Sequence, residues 1–251
     1  MSAAEVASVA LAGLAAGAMN TLVGSGTLIT FPVLIAWGYA PVTANVSNTV
    51  GLVPGSVAGA VGYRRELAGQ GGRVVRFGAM SALGGASGAV LLLVLPASAF
   101  KAIVPAFIVL AVALVLLQPR LDGWLVRREI HLDGRHRLLT LLAVYATGVY
   151  GGYFGAAQGI MLLAVLGLAL PRSLQRTNAL KNVLAGLVNV VAGVYFVFAS
   201  HVEWAPAGII AGASVLGAQL GARYGRRLPP EILRVVIVLV GIFAVVRLLT
   251  D

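Results

Sequence analysis

The sequence predicts an all-α, polytopic transmembrane helix bundle, and three observations carry that prediction. Hydrophobic residues fill 59% of 251 positions and charged residues only 10%, with a mean hydropathy of +0.96. A soluble domain carries about 25% charged residues, because a folded globule needs a wettable exterior. Apolar runs long enough to span a bilayer recur along the whole chain, and basic residues gather in the short connections between them.

Eight apolar blocks cover about 5–37, 42–63, 74–95, 99–118, 138–170, 173–200, 204–222 and 230–249. Six have the length of one span. The first and fifth, at about 33 residues each, exceed the roughly 20 that a span needs. Both are interrupted by small and polar residues, Gly24-Ser25-Gly26-Thr27 in one and Gly151-Gly152 with Gly155-Ala156-Ala157-Gln158-Gly159 in the other. Glycine weakens a helix there. Irregular backbone at membrane depth survives only where protein or a watery cavity satisfies it.

The halves also resemble each other. Gly17 to Gly24 lines up with Gly148 to Gly155, and Ser47-Asn48 lines up with Thr177-Asn178 after one residue of slippage. This suggests a first repeat over 1–118, a cytoplasmic linker over 119–137 and a second repeat over 138–251.

Charge sets the expected topology. Arg64, Arg65, Arg73 and Arg76 follow block 2; Arg127, Arg128, Arg135 and Arg137 follow block 4; Arg172 and Arg176 follow block 5; Arg223, Arg226 and Arg227 follow block 7. Eight single crossings would put two of these clusters outside, against the positive-inside rule. If blocks 1 and 5 are broken hairpins that return to the side they entered, every basic loop is cytoplasmic. Both termini are then extracytoplasmic, and the repeats are inverted, each with a re-entrant helix pair plus three spans. The competing reading makes blocks 1 and 5 single long kinked helices.

The same composition excludes several functions. The net charge of +10 is split among loops, with no aromatic-rich basic patch, so no nucleic-acid partner is expected. There are no cysteines, and His131, His136 and His201 lack ligand spacing, so no metal or other cofactor is expected. No P-loop, dinucleotide fingerprint or nucleophile–base pair appears, so an enzyme is not expected. All eight acidic residues (Glu5, Glu66, Asp122, Glu129, Asp133, Glu203, Glu231 and Asp251) sit at block edges or in loops. A cation or proton carrier usually keeps a carboxylate in mid-membrane.

Interrupted helices in inverted repeats form the binding sites of many transporters, and helix N-termini there attract anions. The residues around the breaks are therefore the candidate substrate site: Asn20, Ser25, Thr27 and Gln158 at the breaks, Asn45, Ser47 and Asn48 in block 2, and Thr177, Asn178, Lys181 and Asn182 in block 6. Lys181 reads either as an anion ligand or as a side chain snorkelling to the interface beside Arg176. The neutral residues read as oxyanion donors or as interhelical hydrogen bonds. Asn20, Asn189 and Gln219 fit helix packing best. Gly/Ala faces suit close packing inside one chain or within a homo-oligomer.

Taken together, these motifs resemble the TauE/SafE family of membrane transporters, also called sulfite exporters. In the first half the resemblance rests on Gly17 and Asn20, followed by Gly24-Ser25-Gly26-Thr27 and Phe31-Pro32, and on Ala44-Asn45-Val46-Ser47-Asn48-Thr49 and Tyr63-Arg64. A second-half copy runs over Gly148–Gly159 with Thr177-Asn178-Ala179-Leu180-Lys181-Asn182. Thr27 and Leu28 stand where the family usually has glycine. The resemblance implies an inner-membrane exporter of a small anion, sulfite or a related sulfonate, working by alternating access. A channel-like anion pore and a carrier of a small carboxylate are the alternatives.

Overall fold

The computed structural model describes residues 1–127, 134–170 and 174–224, together with Leu239 and Ile242. Most of block 8, with Arg128, Glu129, His131, Asp133, Arg172, Arg226, Arg227, Glu231 and Asp251, lies outside the described residues. The described chain is helical: α1 (Ala3–Leu22), α2 (Thr27–Ala36), α3 (Pro41–Gly62), α4 (Gly71–Val94), α5 (Ala97–Arg127), α6 (Gly134–Tyr153), α7 (Gln158–Ala169), α8 (Leu174–Ala199) and α9 (Trp204–Tyr224). Helix α5 continues to Arg127, past the repeat boundary expected at 118.

Among the described residues, five helices are long and apolar enough to cross a bilayer: α1, α4, the Ala97–Gln118 part of α5, α8 and α9. Their outward faces carry exposed Leu11, Val75, Val94 and Phe198, as lipid contact requires. Helix α3 is also of spanning length, but Thr43, Asn45, Ser47, Asn48 and Thr49 dilute its hydropathy. Asn45, Ser47, Asn48 and Thr49 are buried. The chain is a polytopic helical bundle.

Blocks 1 and 5 each divide into a long helix and a short one. Helix α1 starts with a capping box, in which Ser2 Oγ accepts from Glu5 N–H and the Glu5 carboxylate accepts from Ser2 N–H. It ends at a turn where Gly24 has φ +86°. Helix α2 then doubles back along α1. Its end is tied to the first turns of α1, where Trp37 Nε1 donates to Ser8 Oγ at 2.8 Å and Tyr39 donates to Glu5 at 2.7 Å. Burial, then the adjacent Glu5 carboxylate, push the Tyr39 phenol up to about 12, so it remains a donor at physiological pH. In the second half the turn uses Gly155 (φ +78°) and Ala157 (φ +57°). Leu162 and Leu166 of α7 return to pack with Val144 of α6. Both long blocks are hairpins, not kinked single helices.

Small residues let the helices pair at backbone distance. A Cβ on Gly17 of α1 would lie 2.1 Å from the Ser214 carbonyl oxygen of α9, and one on Gly217 would lie 1.9 Å from that of Leu14. Gly13 meets Ile210 and Gly17 meets Ser214, while Leu14 meets Gly217 and Ala18 meets Gly221, so α1 and α9 run parallel. Helices α6 and α4 pair the same way, with Gly88 against the Val149 carbonyl and Gly148 against that of Ser81. Helix α3 packs on α9 as α8 packs on α4. One hydrogen bond recurs across the two halves: Ser214 Oγ donates to the Gly51 carbonyl, and Ser81 Oγ donates to that of Leu184. The contacts are thus preserved when the halves are exchanged.

Helix directions bring the basic connections together. Arg64, Arg65, Arg73 and Arg76 flank the α3–α4 turn. Arg176 donates to the Ala68 carbonyl of that turn, and Gln70 donates to the Arg176 carbonyl. Arg223 ends α9, which runs parallel to α3 with Ala222 beside Gly62. The opposite end holds Glu5, Tyr39, Lys101, His201 and Glu203.

Candidate functional site

The two breaks meet backbone to backbone inside the bundle. Gly159 N–H donates to the Gly24 carbonyl at 3.1 Å. A Cβ on Gly24 would lie 2.3 Å from Gly159 Cα, and one on Gly159 would lie 2.4 Å from Gly24 Cα. Only glycine fits on either side of this contact, and Gly24 also needs its positive φ.

Helix α1 ends inside the protein, so its last carbonyls need donors. Helix α8 supplies them. Lys181 Nζ lies 3.0 Å from the Asn20 carbonyl and 3.3 Å from that of Thr21. Asn182 Nδ2 donates to the same Thr21 oxygen at 3.2 Å, and Asn178 Nδ2 at 3.4 Å. Its amine also faces the negative end of the α1 dipole. Lys181 is 0% exposed, so it does not snorkel toward Arg176. Its stem runs past Gly159, where a Cβ would sit 3.0 Å from Lys181 Cδ. Among the described residues its polar partners are these two carbonyls.

The first half repeats the device without a charge. Asn45 Nδ2 donates to the Tyr153 carbonyl at the end of α6, 3.0 Å away. The counterpart of Asn178 is therefore Asn45, not the Asn48 suggested by sequence alignment. Asn48 instead bonds the hydroxyls of Thr30 and Thr27 on α2. On another face of α3, Ser47 Oγ accepts from Glu203 N–H just before α9.

The N-terminal side of the breaks is less open to an anion than helix-end reasoning implies. Asn20 Oδ1 takes the Gly26 N–H at 2.7 Å, and the Gly24 carbonyl takes that of Gly159. Two polar side chains there remain uncommitted. Ser25 Oγ and Gln158 Nε2 are buried and have no hydrogen-bond partner among the described residues. The Gln158 amide packs on Gly151, whose Cβ would lie 2.3 Å from the amide carbon.

Between the breaks and helices α3 and α8 is a small central cavity. Asn20, Thr27, Ser56, Gln158, Asn182 and Asn189 line it. Its free volume is about 20 Å3, room for one water. Of the residues expected to bind substrate, Asn20, Thr27, Gln158 and Asn182 face it. Lys181, Asn178, Asn45 and Asn48 brace the surrounding helix ends. Ser25 and Thr177 are buried without lining the cavity, and Ser47 is drawn to the start of α9.

Sequence reasoning missed Ser56 and set Asn189 aside as packing. Asn189 Nδ2 donates to Ser56 Oγ at 2.8 Å across the two halves. An amide in the middle of an apolar run was the available signal. Gln219 is exposed on the outer face of α9 and takes no part.

Comparison with known proteins agrees with this architecture. A family model described as sulfite exporter TauE/SafE matches residues 9–248. A probable membrane transporter protein, ORF9, from Sinorhizobium sp is 30% identical over 243 residues, covering 96% of this chain and 91% of its own. The probable membrane transporter protein YfcA of Escherichia coli K12 is 26% identical, covering 94% of this chain and 86% of its own. A probable membrane transporter protein of Haemophilus influenzae is 26% identical, with 95% and 92% covered. No solved structure matches. With nearly its whole length matched and a helical, multi-pass architecture, this chain belongs to the TauE/SafE family and is a membrane transporter.

Proposed function

We propose that this transporter exports a small anion, sulfite or a related sulfonate, by alternating access at the central cavity. The observation that carries the reading is Lys181, a fully buried amine beside the meeting point of the breaks. A buried charge held only by neutral carbonyls is costly, and an anion entering the cavity offsets that cost. The uncommitted Gln158 Nε2 adds a hydrogen-bond donor on the cavity wall. The cavity is too small for sulfite as it stands, so binding requires the helices to move apart. That requirement favours a carrier over a continuously open pore.

The exchangeable contacts of residues 1–118 and 138–224 support two repeats, inverted relative to each other across the inner membrane. The arginine-bearing end is cytoplasmic on the positive-inside rule, which puts Met1 outside. A phosphatase reporter fused at Met1 should be active in intact cells; cytoplasmic retention of the reporter would reverse the orientation.

The membrane potential then supplies direction. An inside-negative membrane favours anion exit by about 2.3 kcal/mol per charge per 100 mV, and doubly charged sulfite gains about twice that. No coupling carboxylate is required. The test is sulfite efflux from proteoliposomes with and without an imposed potential.

A further inference from the structure

Among the described residues, the two ends of the bundle are packed differently. At the arginine-bearing end a cavity of about 180 Å3 is lined by Leu22, Tyr63, Gln118, Leu163, Gln175 and Asn178. It stops at the bond from Asn178 to the Thr21 carbonyl, and Thr21 lines the central cavity on the other side. The pairing of the halves locates the equivalent place at the opposite end. Leu22 ends α1 as Tyr153 ends α6, and Asn178 holds α1 as Asn45 holds α6.

That equivalent place is filled with rings. Phe31 stands edge-on to Phe154 with centroids 5.2 Å apart. Phe100, near the start of α5, lies 6.1 Å from Phe154 and 5.7 Å from Tyr153. Phe31, Phe100 and Phe154 are at most 2% exposed. Three chain segments (α2, α5 and the second break) are thereby pinned together just beyond the central cavity.

The closure also contains a defect. The Tyr153 hydroxyl and Asn45 Oδ1 are both buried there without a hydrogen-bond partner among the described residues. Edge-to-face rings stabilise the closed arrangement, while unsatisfied polar atoms destabilise it. Water would satisfy both atoms, and an anion would accept from the Tyr153 hydroxyl, at the cost of the ring contacts.

We propose that the Phe31–Phe100–Tyr153–Phe154 cluster is the gate on the face opposite the arginines, and that the cavity at Leu22 and Asn178 is the vestibule through which the anion reaches the site. The proposal rests on the transport reading above for its substrate. Its labelling test needs no substrate, so the two can fail separately. The chain has no cysteine, which allows single-cysteine variants to be labelled with a membrane-impermeant maleimide in vesicles of both orientations.

Leu22→Cys should label from the arginine-bearing face alone. Thr27→Cys, on the central cavity wall, should resist label from the opposite face until Tyr153→Ala is added, and then label at least tenfold faster from that face. Tyr153→Phe keeps the ring and removes the unpartnered hydroxyl. It should favour closure and slow sulfite efflux severalfold, with Leu22→Cys labelling from the arginine face unchanged. Labelling of Leu22→Cys from the opposite face overturns the assignment. So does protection of Thr27→Cys that survives Tyr153→Ala. If Tyr153→Ala fails to accumulate, efflux by Tyr153→Phe that is unchanged or faster overturns the gate. Absence of sulfite flux in the unsubstituted protein would instead sink the transport reading and leave the labelling pattern to stand or fall alone.

Discussion

Lys181→Met should weaken sulfite binding on the order of a hundredfold while leaving the fold intact. Methionine keeps the unbranched stem that passes Gly159 and removes only the ammonium. Truncating one member of a buried, hydrogen-bonded charge pair costs about 2–5 kcal/mol of affinity; in the proposed site an anion entering the opened cavity takes over the Lys181 Nζ that the Asn20 and Thr21 carbonyls hold in this closed structure. Stability should change little. The carbonyls of Asn20 and Thr21 lose a charged donor, but the chain no longer buries an uncompensated charge, and such exchanges for apolar residues are often neutral. Thr21 also retains Asn178 and Asn182. Thermal unfolding of purified protein titrated with sulfite, sulfate, thiosulfate and small sulfonates measures both quantities. A Lys181→Met protein with a normal midpoint and no anion-dependent shift fits the account. A sulfite affinity within about threefold of the unsubstituted protein would make Lys181 a structural cap of α1 and nothing more.

The second large effect is Gly24→Ala, which should destabilise the protein by roughly 2–5 kcal/mol. Two penalties add. An L side chain in the left-handed region costs about 1–2 kcal/mol, and forcing a methyl into a filled interior costs about 1–3 kcal/mol. The methyl would lie 2.3 Å from Gly159 Cα and 2.9 Å from its nitrogen. These are backbone atoms held by the Gly159-to-Gly24 hydrogen bond, so they cannot swing aside. Gly38→Ala is the matched control. Gly38 has the same conformation, φ +87°, but nothing within 4 Å of its Cβ position, so only the first penalty applies. Unfolding in detergent should rank Gly24→Ala well below Gly38→Ala. Equal stabilities would show that the two breaks are not held in contact.

The hairpins were legible because length and charge gave independent reasons for them. Blocks 1 and 5 were too long for one span, and only a return at glycine kept the basic loops together. The bonds from Trp37 and Tyr39 back to Ser8 and Glu5 are the physical form of that reading. The candidate site was legible in position but not in role. Polar residues beside a break mark the place, yet whether an asparagine faces a cavity or caps a carbonyl depends on helix rotation. Asn182 does both, while Asn178 and Asn45 act as caps. Lys181 shows why the two sequence readings were too few. The α1 carbonyls that receive it lie far away in the chain, and their free ends exist only because α1 stops inside the protein.

Other features were hidden because they arise between helices. The contact between Ser56 and Asn189 requires α3 and α8 to cross at those residues. The register that pairs Asn45 with Asn178 depends on α7 having 12 residues where α2 has 10. Glycine spacing predicted close packing in general, but not that α1 would lie parallel to α9 and α6 to α4. The asymmetry between a vestibule at one end and packed rings at the other likewise depends on how Tyr153 replaces Leu22 in space.

The central claim is that the chain carries a small anion down the membrane potential through the cavity between the breaks. Sulfite efflux from proteoliposomes under a potassium-diffusion potential tests it most directly. Efflux should saturate with sulfite concentration, accelerate when the sulfite-loaded interior is made negative, and fall to the protein-free rate in Lys181→Met. An efflux rate indifferent to the potential would contradict potential-driven uniport, and a rate no higher than that of empty liposomes would contradict sulfite export altogether.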